Sequence, residues 1–309
     1  MMINWTNSIW KTSKHSAFTD LCEFADKLFV SFREASDHMS QDGDIRIVTC
    51  DLFGKKINST TLKMANCDLR DPKLTVMPDG KLLMTAYARC YDETGKWQHS
   101  RSLCWFSQDG LSWSSQHWFA EKNWWVWRIR WQGEQAYGFA YKRAQQQLNL
   151  YKGNPLRTFD CVKPNVLSLA SHGLGYPNES DLCFMQNGDA YAVVRRDADS
   201  FTAQCGFSKP PYNRWQWFDL QQYIGAPVII SHGPENILIC GRAWLNGKFK
   251  TALWQMNIET KKLILKVVLP SGGDCSYAGM VRYNEKIYVS YYSSHIDNQS
   301  HIYLAQLNL

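Results

Sequence analysis

The strongest constraint on this chain is a strand-like segment that returns six times. Aligned from their turns, the copies are Leu28–Arg33 (LFVSFR), Leu82–Tyr87 (LLMTAY), Ala136–Tyr141 (AYGFAY), Ala190–Arg195 (AYAVVR), Ile237–Arg242 (ILICGR) and Ile287–Tyr292 (IYVSYY), with starts 54, 54, 54, 47 and 50 residues apart. Turn residues precede most of them (PDGK, QGEQ, NGD, GPEN, YNEK), and five have an apolar partner just upstream: KLTVM, WRIRW, DLCFM, APVII and AGMVRY. Apolar runs bounded by Gly, Pro, Asn and Asp are strands joined by hairpins. Six units of three or four strands, with almost no helical periodicity, predict an all-β, six-bladed β-propeller. A sandwich or a two-domain β protein would not require a regular period. Each blade must pack on its neighbours to bury its faces, so residues 1–309 are expected to form one domain. The segment through about Ala17 is expected to complete the last blade and close the ring.

Composition agrees and narrows the function classes. Apolar residues make up 45% of the chain, charged residues 20% and aromatics 14%, a bias that suits strands and sugar-handling surfaces. No run of 18 apolar residues occurs, and the start, MMINWTNSIWKTSKH, lacks an apolar leader core. The ten cysteines are scattered without a C-x-x-C pair and are expected to be buried, reduced thiols. These features favour a cytoplasmic protein, or one exported without a cleavable signal peptide. The net charge of +6 is spread along the chain with no basic run, which argues against nucleic acid as a partner, and no membrane partner is expected. The histidines show no ligand spacing, so neither a metal nor another cofactor is expected. Nothing legible sets the oligomeric state.

The two inner strands of a blade are antiparallel, so the start of the first and the end of the second share a rim. The second strands end on Arg33, Tyr87, Tyr141, Arg195, Arg242 and Tyr292, and the first strands open with Arg70 and Asp71, Arg128, Glu179 and Asp181, and Tyr277. Such a mouth is basic and aromatic. Arginine forks fit carboxylates, and tyrosines offer ring faces and hydroxyls to sugars. The expected partner is a small acidic sugar or glycan.

These residues resemble the sialidase (neuraminidase) superfamily of six-bladed propellers. Ser107-Gln-Asp109-Gly110-Leu-Ser-Trp113 fits its Asp-box, S-x-D-G-x-x-W, a structural turn between outer strands, and Ser208–Trp215 looks like a degenerate relative. Arg70-Asp-Pro-Lys-Leu74 is similar to the family's R-I-P-x-L strand, which makes Arg70 the first arginine of a carboxylate-binding triad. Asn178-Glu179-Ser-Asp-Leu, with Arg195 sixteen residues on, matches its Glu and second arginine. Arg242 fits the third arginine, and Ser276-Tyr277 the catalytic tyrosine. The resemblance implies exo-sialidase chemistry: Tyr277 as nucleophile, Glu179 as its base and Asp92 as acid/base. Arg70, Arg195 and Arg242 would then bind the carboxylate, with Arg33, Asp71 and Tyr292 as further substrate contacts. A phenol suits a carbon that already bears a carboxylate, because an anionic nucleophile would be repelled.

The chain also departs from the pattern. Asp71 stands where the family has an apolar residue, and pointing inward it would weaken the positive field. The cluster Phe32–His38 and Arg128 are further unassigned charges at the rim. Two alternatives stay open. One is a non-catalytic propeller lectin that kept the arginines. The other is a glycosidase of different specificity using Arg70-Asp71-Pro72, as in five-bladed furanosidase-type propellers, where the Asp stabilises the transition state.

Overall fold

Each recurring segment is the second strand of a four-stranded antiparallel sheet in the computed structural model, which describes residues 1–308. β1 (Met2–Trp10) belongs to the last sheet. Blade one is β2 (His15–Phe24), β3 (Lys27–Ala35), β4 (Asp44–Cys50) and β5 (Lys56–Leu62). Blade two is β6 (Cys67–Val76), β7 (Leu82–Tyr91), β8 (Trp97–Ser107) and β9 (His117–Phe119). Blade three is β10 (Trp125–Gln132), β11 (Gln135–Lys142), β12 (Gln147–Gly153) and β13 (Phe159–Ser168). Blade four is β14 (Pro177–Phe184), β15 (Ala190–Arg196), β16 (Gln204–Ser208) and β17 (Gln216–Asp219). Blade five is β18 (Gly225–Ser231), β19 (Asn236–Leu245), β20 (Lys248–Asn257) and β21 (Leu263–Leu269). Blade six is β22 (Cys275–Tyr283), β23 (Lys286–Ser293) and β24 (His301–Asn308), with β1 on its outer edge.

The first strand of each blade touches the first strand of the next, and β22 returns to β2, so the six sheets close into a propeller. Closure is a strand pairing, Met2 opposite Asn308 through Trp10 opposite Ile302. It ends earlier than the sequence implied. The polar break Lys11–Lys14 stops β1, and His15–Ala17 already pair with Arg33–Ala35 inside blade one. Apolar clusters fill the gaps between blades, as where Val193 and Cys205 of blade four meet Ile237, Ile239 and Trp254 of blade five. All ten cysteines are free thiols, and burial pushes those of Cys22 and Cys104 up to about 12.

The Ser107–Trp113 segment is the turn between β8 and β9. The Asp109 carboxylate accepts the Leu111 and Ser112 backbone N–H groups at 2.8 and 2.7 Å, which hold it down to about 2, and Trp113 packs on the core between blades one and two. Ser208–Trp215 occupies the same place in blade four, between β16 and β17, with the Ser208 hydroxyl donating to the Arg214 carbonyl at 2.6 Å. Gly110 has φ +72°, and a Cβ there would lie 2.2 Å from Cε1 of Phe29 in blade one. The turn therefore locks two blades together. Gly110→Ala combines a left-handed backbone with overpacking, and is expected to lower stability by about 1–3 kcal/mol. Urea denaturation measures it, and an unchanged midpoint would mean that Phe29 simply moves aside.

Candidate functional site

Every first strand breaks register at the same place, with two residues opposing one on the second strand. The pairs are Phe18–Thr19, Asp71–Pro72, Trp127–Arg128, Asn178–Glu179, Ala226–Pro227 and Tyr277–Ala278. Such β-bulges bend a strand and re-aim its side chains. At four of the six the leading residue has positive φ: Phe18 62°, Asp71 49°, Ala226 45° and Tyr277 45°. That region is costly for any side chain and is held only where packing enforces it. Glu179, Tyr277 and Asp71, three residues marked out by the sequence, all sit on these bulges. The bulges also correct the strand-end ring. The register makes Ala140 and Arg196, not Tyr141 and Arg195, the counterparts of Arg33. A one-residue offset changes the face on which a side chain emerges. Accordingly Arg196 is buried against the Gly175 carbonyl while Arg195 turns to Glu179.

Tyr277, Glu179 and Arg195 form one hydrogen-bonded group across blades six and four. The Tyr277 hydroxyl donates to Glu179 Oε1 at 2.6 Å, and Arg195 Nη1 donates to Glu179 Oε2 at 2.7 Å and reaches the Tyr277 oxygen at 3.1 Å. The Ala226 backbone N–H also donates to Oε2, at 2.9 Å. Burial opposes ionisation of Glu179, but the Arg195 charge and the Tyr277 hydrogen bond outweigh it and hold the carboxyl below its usual range. The Tyr277 hydroxyl is driven well above its ordinary value, first by burial and then by the Glu179 charge, with Arg195 and Arg242 pulling the other way. The phenol therefore keeps its proton and offers it to an ionised carboxylate. Its ring is fixed by Phe18 at 5.0 Å, Tyr292 at 6.0 Å and Trp127 at 6.1 Å.

The arginines divide into two groups. Arg242 stacks its guanidinium over Tyr277 at 5.3 Å and Phe249 at 4.9 Å, and bonds the Tyr223 hydroxyl at 3.2 Å. Its nearest carboxylate, Asp274, is 3.8 Å away. Arg195 and Arg242 both face a cavity of about 440 Å³ lined by Asp197, Ser200, Phe201, Tyr223, Trp244 and Phe249 as well. Arg70 instead pairs with Asp68 at 2.6 Å and donates to the His38 carbonyl at 3.1 Å. It keeps a small exposed fraction, 8%.

Arg33 is a different case from the substrate contact expected of it. It is fully buried, and its nitrogens go to Asp68 at 2.8 Å and to the Asp37 and Ser40 carbonyls. It braces the loop between β3 and β4. Gly43 admits this pair, since a Cβ there would lie 2.2 Å from Asp68 Oδ1. Tyr292 is also fully buried and donates to Asp274 at 2.7 Å, so it supports Tyr277 and Asp274 from beneath. Asp68 thus carries two arginines at no exposure of its own. Asp68→Ala strands both charges and is expected to cost about 3–5 kcal/mol in a denaturation experiment; a loss under 1 kcal/mol would mean that water replaces the carboxylate.

Two carboxyls singled out by the sequence, Asp92 and Asp71, sit in opposite environments. Asp92 caps an exposed turn after β7. One oxygen accepts from the Thr94 and Lys96 backbones at 3.0 Å and the other from Gln98 at 2.6 Å. The Thr94 hydroxyl leads the bonds that hold it below its ordinary value. No hydrogen bond or ion pair joins Asp92 to Tyr277, Glu179 or the arginines among the described residues. Asp71 is buried on its bulge with Oδ1 unpartnered. Burial pushes it up to about 6, with the Glu179 charge adding and Lys73 opposing. Lys73, buried over Trp127 at 4.8 Å, is pushed down to about 8 by the same desolvation. Beneath them, the central channel is plugged by charge. Arg128 pairs with Asp20 at 2.6 Å, and Arg130 with Asp181. Arg128 and Asp181 therefore belong to the plug.

Sequence reading missed Asp274, Tyr223 and the aromatic wall of Phe201, Trp244 and Phe249. Asp274 lies three residues before Tyr277, so its position just upstream of β22 was the available signal. A larger cavity of about 600 Å³ lies at the opposite rim, beside the Pro78–Asp79 turn, and its lining holds no buried carboxylate.

No family model matches this sequence, and no curated protein matches it significantly. Solved structures do match it. A Dyadobacter fermentans protein of unknown function superposes with TM-score 0.86 at 14% identity, covering 100% of this chain and 99% of that one. The NanB sialidase of Streptococcus pneumoniae superposes with TM-score 0.73 at 11% identity, over 97% of this chain and 70% of that one. The GH93 α-L-arabinofuranosidase of Fusarium graminearum gives 0.72 at 12% identity, over 95% and 93%. What the chain shares with them is a fold, the β-propeller, here with six blades closed by its first strand.

Proposed function

We propose that this propeller is a retaining exo-glycosidase that releases a terminal acidic sugar, most simply a sialic acid. The observation that carries this reading is the Tyr277–Glu179–Arg195 group. A phenol poised on an ionised carboxylate is a nucleophile with its base, and two arginines beside it suit a substrate carboxylate. In the first step Tyr277 Oη bonds the anomeric carbon as the glycosidic bond breaks. The phenolic proton passes to Glu179, and a carboxylic acid protonates the departing oxygen. In the second step water attacks the anomeric carbon and gives its proton to the carboxylate that acted as acid, while the bond to Tyr277 breaks and Glu179 returns the proton it holds to the departing phenolate.

A general acid must carry its proton at working pH. Asp92 is held ionised by its own turn, whereas Asp71 keeps its proton to about 6, so the acid is assigned to Asp71. A neutral Asp71 also leaves the arginine field intact. Arg242, with no carboxylate closer than 3.8 Å, favours an anionic substrate over a neutral one.

The test is fluorophore release from an aryl sialoside, with Asp71→Asn and Asp92→Asn compared. Turnover lost in the first and kept in the second supports the assignment. The reverse result returns the acid to Asp92. No turnover with saturable binding of free sialic acid would make the protein a lectin. The inward, unpartnered Asp71 also favours a second reading, a furanosidase, and turnover of an aryl arabinofuranoside but not the sialoside would select it.

A further inference from the structure

Three residues far apart in sequence meet at the rim beside the Tyr277 site. His15 opens β2, His38 lies in the loop Ser36–Gly43, and Asp274 precedes β22. His15 Nε2 is 3.5 Å and His38 Nδ1 3.1 Å from Asp274 Oδ2, and the three ligand atoms lie within 4.8 Å of one another. Metal bonds of about 2.0–2.2 Å in a tetrahedron place neighbouring ligand atoms about 3.3–3.6 Å apart. The cluster therefore needs only slight adjustment to surround an ion.

Its surroundings are built. The second oxygen of Asp274 accepts the Tyr292 hydroxyl at 2.7 Å, and the His38 carbonyl is held by Arg70 at 3.1 Å. Phe18 packs against both imidazoles, at 6.0 and 5.1 Å. Such outer contacts orient ligands and tune affinity. The Asp274 and His38 side chains are 36% and 48% exposed, so the position opens to solvent. Arg242, 3.8 Å from Asp274 Oδ1, and Arg70 are the positive charges facing it and reduce its affinity for a cation. His15 Nδ1 is buried without a partner, which also holds affinity down.

We propose that His15, His38 and Asp274 form a binding site for a divalent first-row metal of the zinc class, with one position left for water or a ligand oxygen. Two neutral imidazoles and one carboxylate suit zinc and its spectroscopic substitute, cobalt. The proposal does not depend on glycosidase activity. The test is titration of the full chain with Co²⁺ and Zn²⁺. One equivalent of Co²⁺ should give the intense visible bands of a four-coordinate ion, displaced by one equivalent of Zn²⁺ in calorimetry. His38→Ala and Asp274→Asn should weaken binding at least about tenfold, while His172→Ala, at an exposed histidine, should not. His38 sits in an exposed loop, so its variant should keep the native melting profile. Absence of the cobalt bands at one equivalent, or equal binding by His38→Ala, would overturn the site.

Discussion

Replacing Tyr277 with phenylalanine is expected to lower turnover of an acidic glycoside by about 10³-fold or more, with binding of the free sugar retained. The substitution removes one oxygen from a ring already fixed by Phe18, Trp127, Tyr292 and Arg242. The packing survives, but the Glu179 carboxylate loses its donor and, in the proposed mechanism, the anomeric carbon loses its nucleophile. Glu179 keeps Arg195 and the Ala226 N–H, so it stays ionised and the fold should hold. Steady-state kinetics and a binding isotherm separate the two quantities. If turnover fell less than about tenfold, Tyr277 would not be the nucleophile. If binding vanished with turnover, the tyrosine would be acting mainly as a contact.

Asp71→Asn is expected to move activity and stability in opposite directions. Its carboxyl is raised by burial from the ordinary 3.8 to about 6, so the folded protein holds the proton more tightly than the unfolded chain. That favourable contribution is fully present below the unfolded value and is lost as pH rises through about 6. Above it, the folded state carries a buried charge. The shift of about two pKa units already includes the attraction of Lys73 and corresponds to about 3 kcal/mol, so the gain of Asn at pH 8 is expected to reach up to about 3 kcal/mol. The gain should disappear below pH 4. Activity should fall about 10²–10⁴-fold, and the alkaline limb of kcat/KM near pH 6 should vanish with it. Denaturation at pH 4 and pH 8 and a pH–rate profile test both halves. A variant as active as the parent, with the limb intact, would place the proton elsewhere.

The lectin reading is separated by the parent chain itself, which would bind the free sugar without turning over the glycoside. A lectin needs Arg195 and Arg242 but not the Tyr277 proton or a protonated Asp71. Both substitutions would then leave its only activity, binding, near the parent level.

Much of the fold was legible because strand patterns and turns are local. A hairpin writes its period into a dozen residues, and six copies at similar spacing leave few architectures. Glu179, Arg195, Arg242 and Tyr277 could be singled out because strand starts and ends must share a rim. What failed was finer. A two-against-one bulge leaves no clear local signature, so Tyr141 and Arg195 were set level with Arg33 when the register chose Ala140 and Arg196. Burial was equally hidden. Arg33 and Tyr292 end strands that look rim-facing, yet both are buried, Arg33 under the loop before β4 and Tyr292 against Phe18 and His15 of blade one.

The sequence by itself determined the blade count, the closing strand and the residue types at the mouth, because those follow from periodicity, turn chemistry and chain direction. Only the tertiary structure decided which of these groups touch. Glu179 and Tyr277 are 98 residues apart, and His15 and Asp274 more than twice that. Their meeting depends on six bulges and ring closure acting together. It also decided the charge of Asp71, because the state of an acid depends on the water removed from around it. That removal belongs to the packed blades and to no single segment of the chain.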